Sequence, residues 1–202
     1  MTLEVSLLGE ETFKKKIKVC CHYLLASIIS GAISGFFYTL IIFVFFSWIP
    51  HLIKMAIFTL MLGLYTLDHF NIIKVKVPER KWQIPVEWVK GKTVHNMWIW
   101  GLILGAGIFT YLPYATFYIL YIYIGLFLNP VIGLLFGIIY AFSRALPTIL
   151  VALKNKELEL IQIKKLYQNK TKKYKYFNGF SLLIFFVFMM YVFFKQYIIN
   201  LI

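Results

Sequence analysis

The sequence predicts an all-α, polytopic integral membrane protein, and three observations predict it. Long uncharged apolar runs cover 23–49, 97–143 and 177–194. The chain is 61% hydrophobic and only 14% charged, where an ordinary soluble domain is about a quarter charged. The Lys and Arg residues gather beside the runs rather than in them. Roughly 20 apolar residues cross a bilayer core, so each run is long enough to span it at least once. A soluble chain of 202 residues could not bury all three.

The segment 1–22 is polar or mixed and carries Lys14, Lys15, Lys16 and Lys18. The apolar run behind it is too long for the core of a cleavable signal and is expected to remain as a signal anchor. Cys20 and Cys21 are adjacent, a spacing that strains a disulfide. Two readings stay open for them: lipid acylation sites beside a basic segment, or two small residues at the membrane surface.

A first hairpin is expected over 23–67, turning at Pro50, with Lys54 near its outer turn. The loop 68–96 carries six cations, from Lys74 to Lys92, and Trp82 and Trp88 suit a headgroup layer. A second hairpin is expected over 97–153, turning at Asn129 and Pro130. The segment 154–179 holds eight lysines, and 156–167 reads as a short surface helix with Leu and Ile on one face. The last span is expected over 180–202. Basic loops stay on the cytoplasmic side. An even number of crossings therefore separates each lysine cluster from the next, which gives five spans with the N-terminus inside. Net charge of +13 thus reads as orientation and as attraction to anionic lipid headgroups, not as nucleic-acid binding. The expected setting is a cell membrane.

The third run is the exception. Residues 97–128 as one helix would reach roughly 48 Å against a core of ~30 Å. Pro113 lies midway, where it removes a helix hydrogen bond. The run is therefore one kinked span, or two shorter segments meeting near 111–114, which would make six.

The hairpins look related: SGAISGFFYTL from Ser30 parallels LGAGIFTYLPY from Leu104, each followed by an aromatic stretch and a turn proline. Small residues recur at helical spacing: Gly31 and Gly35, Gly101 and Gly105, then Gly133, Gly137 and Ala141. Helices associate in lipid by close backbone approach, so these positions are expected to be packing seams.

Two candidate sites stand out. Arg144 falls inside the fourth span, where a charge costs at least ~2.5 kcal/mol unless it is paired, snorkelled or facing a polar cavity. Asp68, at the matching end of the second span, is the expected ion-pair partner, with headgroup contact and a substrate anion as the other readings. Thr110, Tyr111, Pro113, Tyr114 and Thr116 place hydroxyls at mid-membrane around the break, where freed carbonyls can serve a polar solute. No metal-ligand spacing, Walker motif or catalytic serine motif occurs, so neither a cofactor, a metal nor an enzyme is expected. A second membrane protein or another copy of the chain is a possible partner class.

The stretch 78–147, with RKWQIP, GLILGAGIFTYLP and GIIYAFSRALP, faintly resembles membrane proteins of the CcdA and DsbD type, including methylamine-utilization relatives. Active members of that family pass reducing equivalents through intramembrane cysteines. This chain has no cysteine in any of the stretches counted as spans. The resemblance therefore implies a membrane-helical fold and transfers no functional residue. The sequence alone points to a small permease-like or transport-accessory protein, with a non-transporting subunit or immunity protein as the rival.

Overall fold

In a computed structural model, the chain is described at residues 13–70, 72–73, 88, 92–107, 116–154 and 160–199. Among these residues there are six helices and no strand: α1 Phe13–Phe46, α2 His51–His69, α3 Thr93–Ala106, α4 Thr116–Phe127, α5 Pro130–Lys154 and α6 Leu160–Ile199. Four carry stretches long and apolar enough to cross a membrane: α1, α2, Pro130–Leu150 of α5 and Tyr176–Ile199 of α6. The protein is a polytopic helical membrane protein by architecture.

The boundaries follow from local chemistry. Pro50 stops α1 from continuing into α2, and its fixed φ suits the residue before a helix. At the second turn Asn129 accepts a hydrogen bond from Val131 N through Oδ1 at 3.0 Å, a side-chain cap at the start of α5. The basic stretch 160–175 is not a separate surface helix. It continues into the last span as one 40-residue helix, because no glycine or proline interrupts it before Gly179 and its Lys and Gln residues favour helix.

Contacts fix the direction of each crossing. Gly31 of α1 faces Gly137 and Ala141 of α5, and Gly35 faces Gly133, so α1 and α5 are antiparallel. Gly101 of α3 faces Tyr23 and Ala26 and Gly105 faces Ser27, so α3 runs parallel to α1. Farther along α1, Tyr38 meets Tyr121 of α4 at 5.9 Å between ring centroids, and Ile42 meets Gly125. Thus α4 resumes the direction of α3, and the two form one interrupted crossing beside α1. In turn α6 is antiparallel to α2, with His69 against Gly179, Gly63 against Phe186, and His51 Nδ1 3.1 Å from Gln196 Nε2.

Packing does not follow chain order. Although α1 and α2 are consecutive, α1 packs mainly on α5 and α3, while α2 packs mainly on α6. One buried cluster joins Val19, Cys20 and Tyr23 of α1 to Met97 and Ala145. The other joins Met55, Phe58 and Leu62 of α2 to Ile119, Leu126, Leu182 and Met189. Phe58 sits at its centre, 5.7 Å from Phe127 and 6.0 Å from Phe185 by ring centroid. Along the outside of α1, Leu25, Ile29, Ile33, Phe37 and Ile41 are exposed at every fourth position. Such a continuous apolar stripe suits lipid rather than water.

The small residues act at these interfaces. A methyl group on Gly101 would lie 2.6 Å from Ala26 Cβ, and one on Gly31 would lie 2.6 Å from Ala141 Cβ. Buried hydroxyls on α1 are satisfied locally. Ser27 donates to Tyr23 O at 2.8 Å, and Thr39 donates to Gly35 O at 2.8 Å and lies 3.2 Å from Pro130 O across the α5 seam.

Candidate functional site at the interrupted third span

The third run divides, and the division begins at glycine rather than proline. Gly107 closes α3 with φ 77° and ψ −45°, close to the strained γ-turn conformation that side chains disfavour. A helix cannot continue through it. A helix that ends at Ala106 leaves its last carbonyls to be met from outside the helix. Tyr38 of α1 meets one of them, its hydroxyl donating to Ala106 O at 3.3 Å. One turn earlier Ser30 Oγ donates to Leu102 O at 2.5 Å.

The restart of the helix is flanked on two sides. Phe117, the second residue of α4, lies 4.5 Å from Tyr140 of α5 with the rings tilted and 4.8 Å from Tyr121 edge-on, by ring centroid. Phe117 and Tyr140 both crowd Gly107. From Tyr140 the contact passes to Arg144, whose Nη1 donates to Tyr140 Oη at 2.5 Å. The guanidinium carbon lies 5.9 Å from the same ring's centroid. On the other side, Thr116 Oγ1 donates to Asn178 Oδ1 of α6 at 2.7 Å. Asn178 Nδ2 is buried without a hydrogen-bond partner among the described residues.

Of the residues singled out by sequence, the structure brings Thr116 to this break and connects Arg144 to it through Tyr140 and Phe117. Thr110, Tyr111, Pro113 and Tyr114 lie outside the described residues. Asp68 ends a different helix, α2, which packs on α6 and α4. Arg144 takes its hydrogen bond from within its own helix. Sequence reasoning missed Gly107, Tyr38, Phe117 and Asn178. Gly107 lies in the same LGAG motif as Gly105, and a glycine inside an apolar helical run is a recognised break signal. Tyr38 and Asn178 are distant in sequence and carry no local signal, and Phe117, next to Thr116, is one aromatic among many in its stretch.

Against the break lies an apolar cleft of about 250 Å³ lined by Tyr38, Ile41, Ile42, Phe117, Tyr118, Tyr121 and Ile122. Ile41 is 52% exposed, so the cleft opens on the outer surface of the bundle. Among the described residues no three His, Cys, Asp or Glu side chains come together. Among the described residues the break presents hydroxyls, aromatic faces and one guanidinium. No family model, curated protein or solved structure matches the chain, so the likeness of 78–147 to CcdA and DsbD proteins rests on its motifs alone.

Proposed function

We propose that the protein is a small permease-like or transport-accessory protein of a cell membrane, acting at the interrupted third span. The N-terminus and the three basic segments lie on the cytoplasmic side in this reading. Helix directions support a common side for the basic segments: the start of α1, the end of α2, the start of α3, the end of α5 and the start of α6 all fall at one end of the bundle. The observation that carries the function is the break itself. Non-helical backbone at membrane depth is tolerated where it lines a cavity or is buried in protein, and broken helices recur at transporter binding sites. Here Gly107 interrupts the span beside an aromatic cleft and a half-buried arginine.

The test is flux into phosphatidylcholine vesicles containing the purified protein, using isotope-labelled inorganic phosphate and a panel of labelled organic anions. At least one solute should enter faster than in protein-free vesicles. That flux should fall about tenfold, the equivalent of roughly 1.4 kcal/mol, in Arg144→Gln and in Gly107→Leu. Background flux for every solute, or indifference to both substitutions, sinks the proposal.

One observation favours the rival. A groove of about 370 Å³ between α2 and α6 is lined by Ala56, Thr59, Gly63, Phe186, Phe193 and Phe194 among others, and the buried Thr59 hydroxyl has no hydrogen-bond partner among the described residues. Small residues and an unspent hydroxyl are what a partner helix uses in lipid. Copurification in mild detergent separates the readings: a stoichiometric membrane partner without flux supports the non-transporting subunit.

A further inference from the structure

Arg144 is the single Asp, Glu, Lys or Arg between Lys92 and Lys154. The helices packed around α5 are α1, α3 and α4, and none of them, nor α5 itself, contains an acidic residue. Arg144, half-buried as a residue, has one described hydrogen-bond partner for its guanidinium, the neutral hydroxyl of Tyr140. A guanidinium has five N–H donors in a fork that matches an oxyanion. A cation at this depth is stable only with compensation, and the helices that surround it supply no anion.

The compensating group has an apolar neighbourhood to enter through. The Tyr140 ring packs against Phe117, and Phe117 is a wall of the cleft that runs outward past Tyr121 to Ile41 and Ile42. The cleft lies below the roughly 300–1,000 Å³ typical of ligand sites, so it has room for part of one chain and not for two.

We infer that Arg144 and this cleft hold a single-chain anionic amphiphile drawn from the bilayer, its oxyanion on the guanidinium and its tail against Phe117, Tyr121 and Ile42. The inference rests on the transport proposal's site and names its substrate class. A fatty-acid carboxylate and a lysophospholipid phosphate share this chemistry.

The experiment is photolabelling of the purified full-length protein in phosphatidylcholine nanodiscs with a diazirine-bearing fatty acid, followed by mapping of the labelled residues. Labels are expected within 38–42 and 117–122. Palmitate or lysophosphatidate should displace the probe, whichever acts at lower concentration identifying the headgroup. Methyl palmitate, acetate and inorganic phosphate should not. Labelling should fall about tenfold in Arg144→Gln and recover in part in Arg144→Lys, since a guanidinium-to-ammonium change keeps charge and loses the fork. Equal displacement by methyl palmitate overturns the inference on the wild-type protein, whatever the variants do. So do labels confined to other helices, or undiminished labelling in Arg144→Gln. Labelling without vesicle flux removes the transport proposal and keeps this one. Flux of a hydrophilic anion with no labelling of the cleft does the reverse.

Discussion

The carbonyl oxygen of Gly137 in α5 occupies the place that a side chain on Gly31 of α1 would need. The relationship is reciprocal, because the Gly31 carbonyl blocks Gly137 in the same way. Backbone cannot rotate aside as a side chain can. Gly31→Ala must therefore push α1 and α5 apart, at a cost on the order of 1–3 kcal/mol. Gly63 provides the control: the nearest atoms a methyl there would meet belong to the ring of Phe186, at 2.9 Å, and that ring can turn. Unfolding in detergent should show a clear loss of stability for Gly31→Ala and a smaller one for Gly63→Ala. Equal losses would show that crowding at the α1–α5 seam is not what distinguishes the two glycines.

Much of this seam was legible in the sequence, and the reasons mark where legibility ends. A stripe such as Gly133, Gly137 and Ala141 announces a face by its four-residue period. It does not say which helix will meet that face. The all-helical membrane architecture and the turns at Pro50 and Asn129 were readable from length, charge and turn chemistry. The pairing of α1 with the second hairpin instead of with α2 was not, because packing in lipid depends on matched surfaces rather than chain neighbours. At the candidate site, Tyr140 and Arg144 are four residues apart and so meet on any helix. Phe117 joins them only because α4 and α5 pack together. The break was placed near Pro113, whereas α3 already ends at Gly107, where the φ of 77° acts before the proline is reached.

Gly107 yields a prediction separate from flux. An L-residue at positive φ costs roughly 1–2 kcal/mol, and here a Cβ would also lie 2.7 Å from Phe117 Cζ. Gly107→Ala should lower the detergent melting temperature, and shortening the Phe117 side chain should restore little of the loss, because the backbone conformation of Gly107 is unaltered. Rescue of Gly107→Ala by Phe117→Leu alone would mean that crowding, not backbone conformation, requires the glycine.

Thr116 and Asn178 show the asymmetry of a buried polar pair. With Asn178 Nδ2 already unpartnered among the described residues, Thr116→Val would leave Oδ1 without its 2.7 Å donor as well. An orphaned buried group costs about 1–3 kcal/mol, whereas replacing both partners by apolar groups can be nearly neutral. The double variant Thr116→Val, Asn178→Leu should thus be closer to wild-type stability than Thr116→Val alone. Additive losses in this double-mutant cycle would show that the hydrogen bond carries no coupling.

Orientation can be decided by chemistry at chosen ends of the helices. Cys20 is buried and Cys21 exposed, so both are first replaced, Cys20 by Ala and Cys21 by Ser. Single cysteines are then placed at Ser47 and Asn129, which are exposed at the α1–α2 and α4–α5 turns. Matching sites at Lys14 and Lys92 are exposed at the start of α1 and just before α3. Because α1 and α4 point the same way, Ser47 and Asn129 must share one side of the membrane and Lys14 and Lys92 the other. A membrane-impermeant maleimide added to intact cells should label Ser47→Cys and Asn129→Cys. It should reach Lys14→Cys and Lys92→Cys only after the membrane is opened. The expected sidedness comes from the lysines: transferring basic segments across a bilayer is disfavoured, and an anionic inner leaflet attracts them. Labelling of Lys14→Cys in intact cells would invert the orientation, and labelling of Ser47 and Asn129 from opposite sides would break the five-crossing arrangement itself.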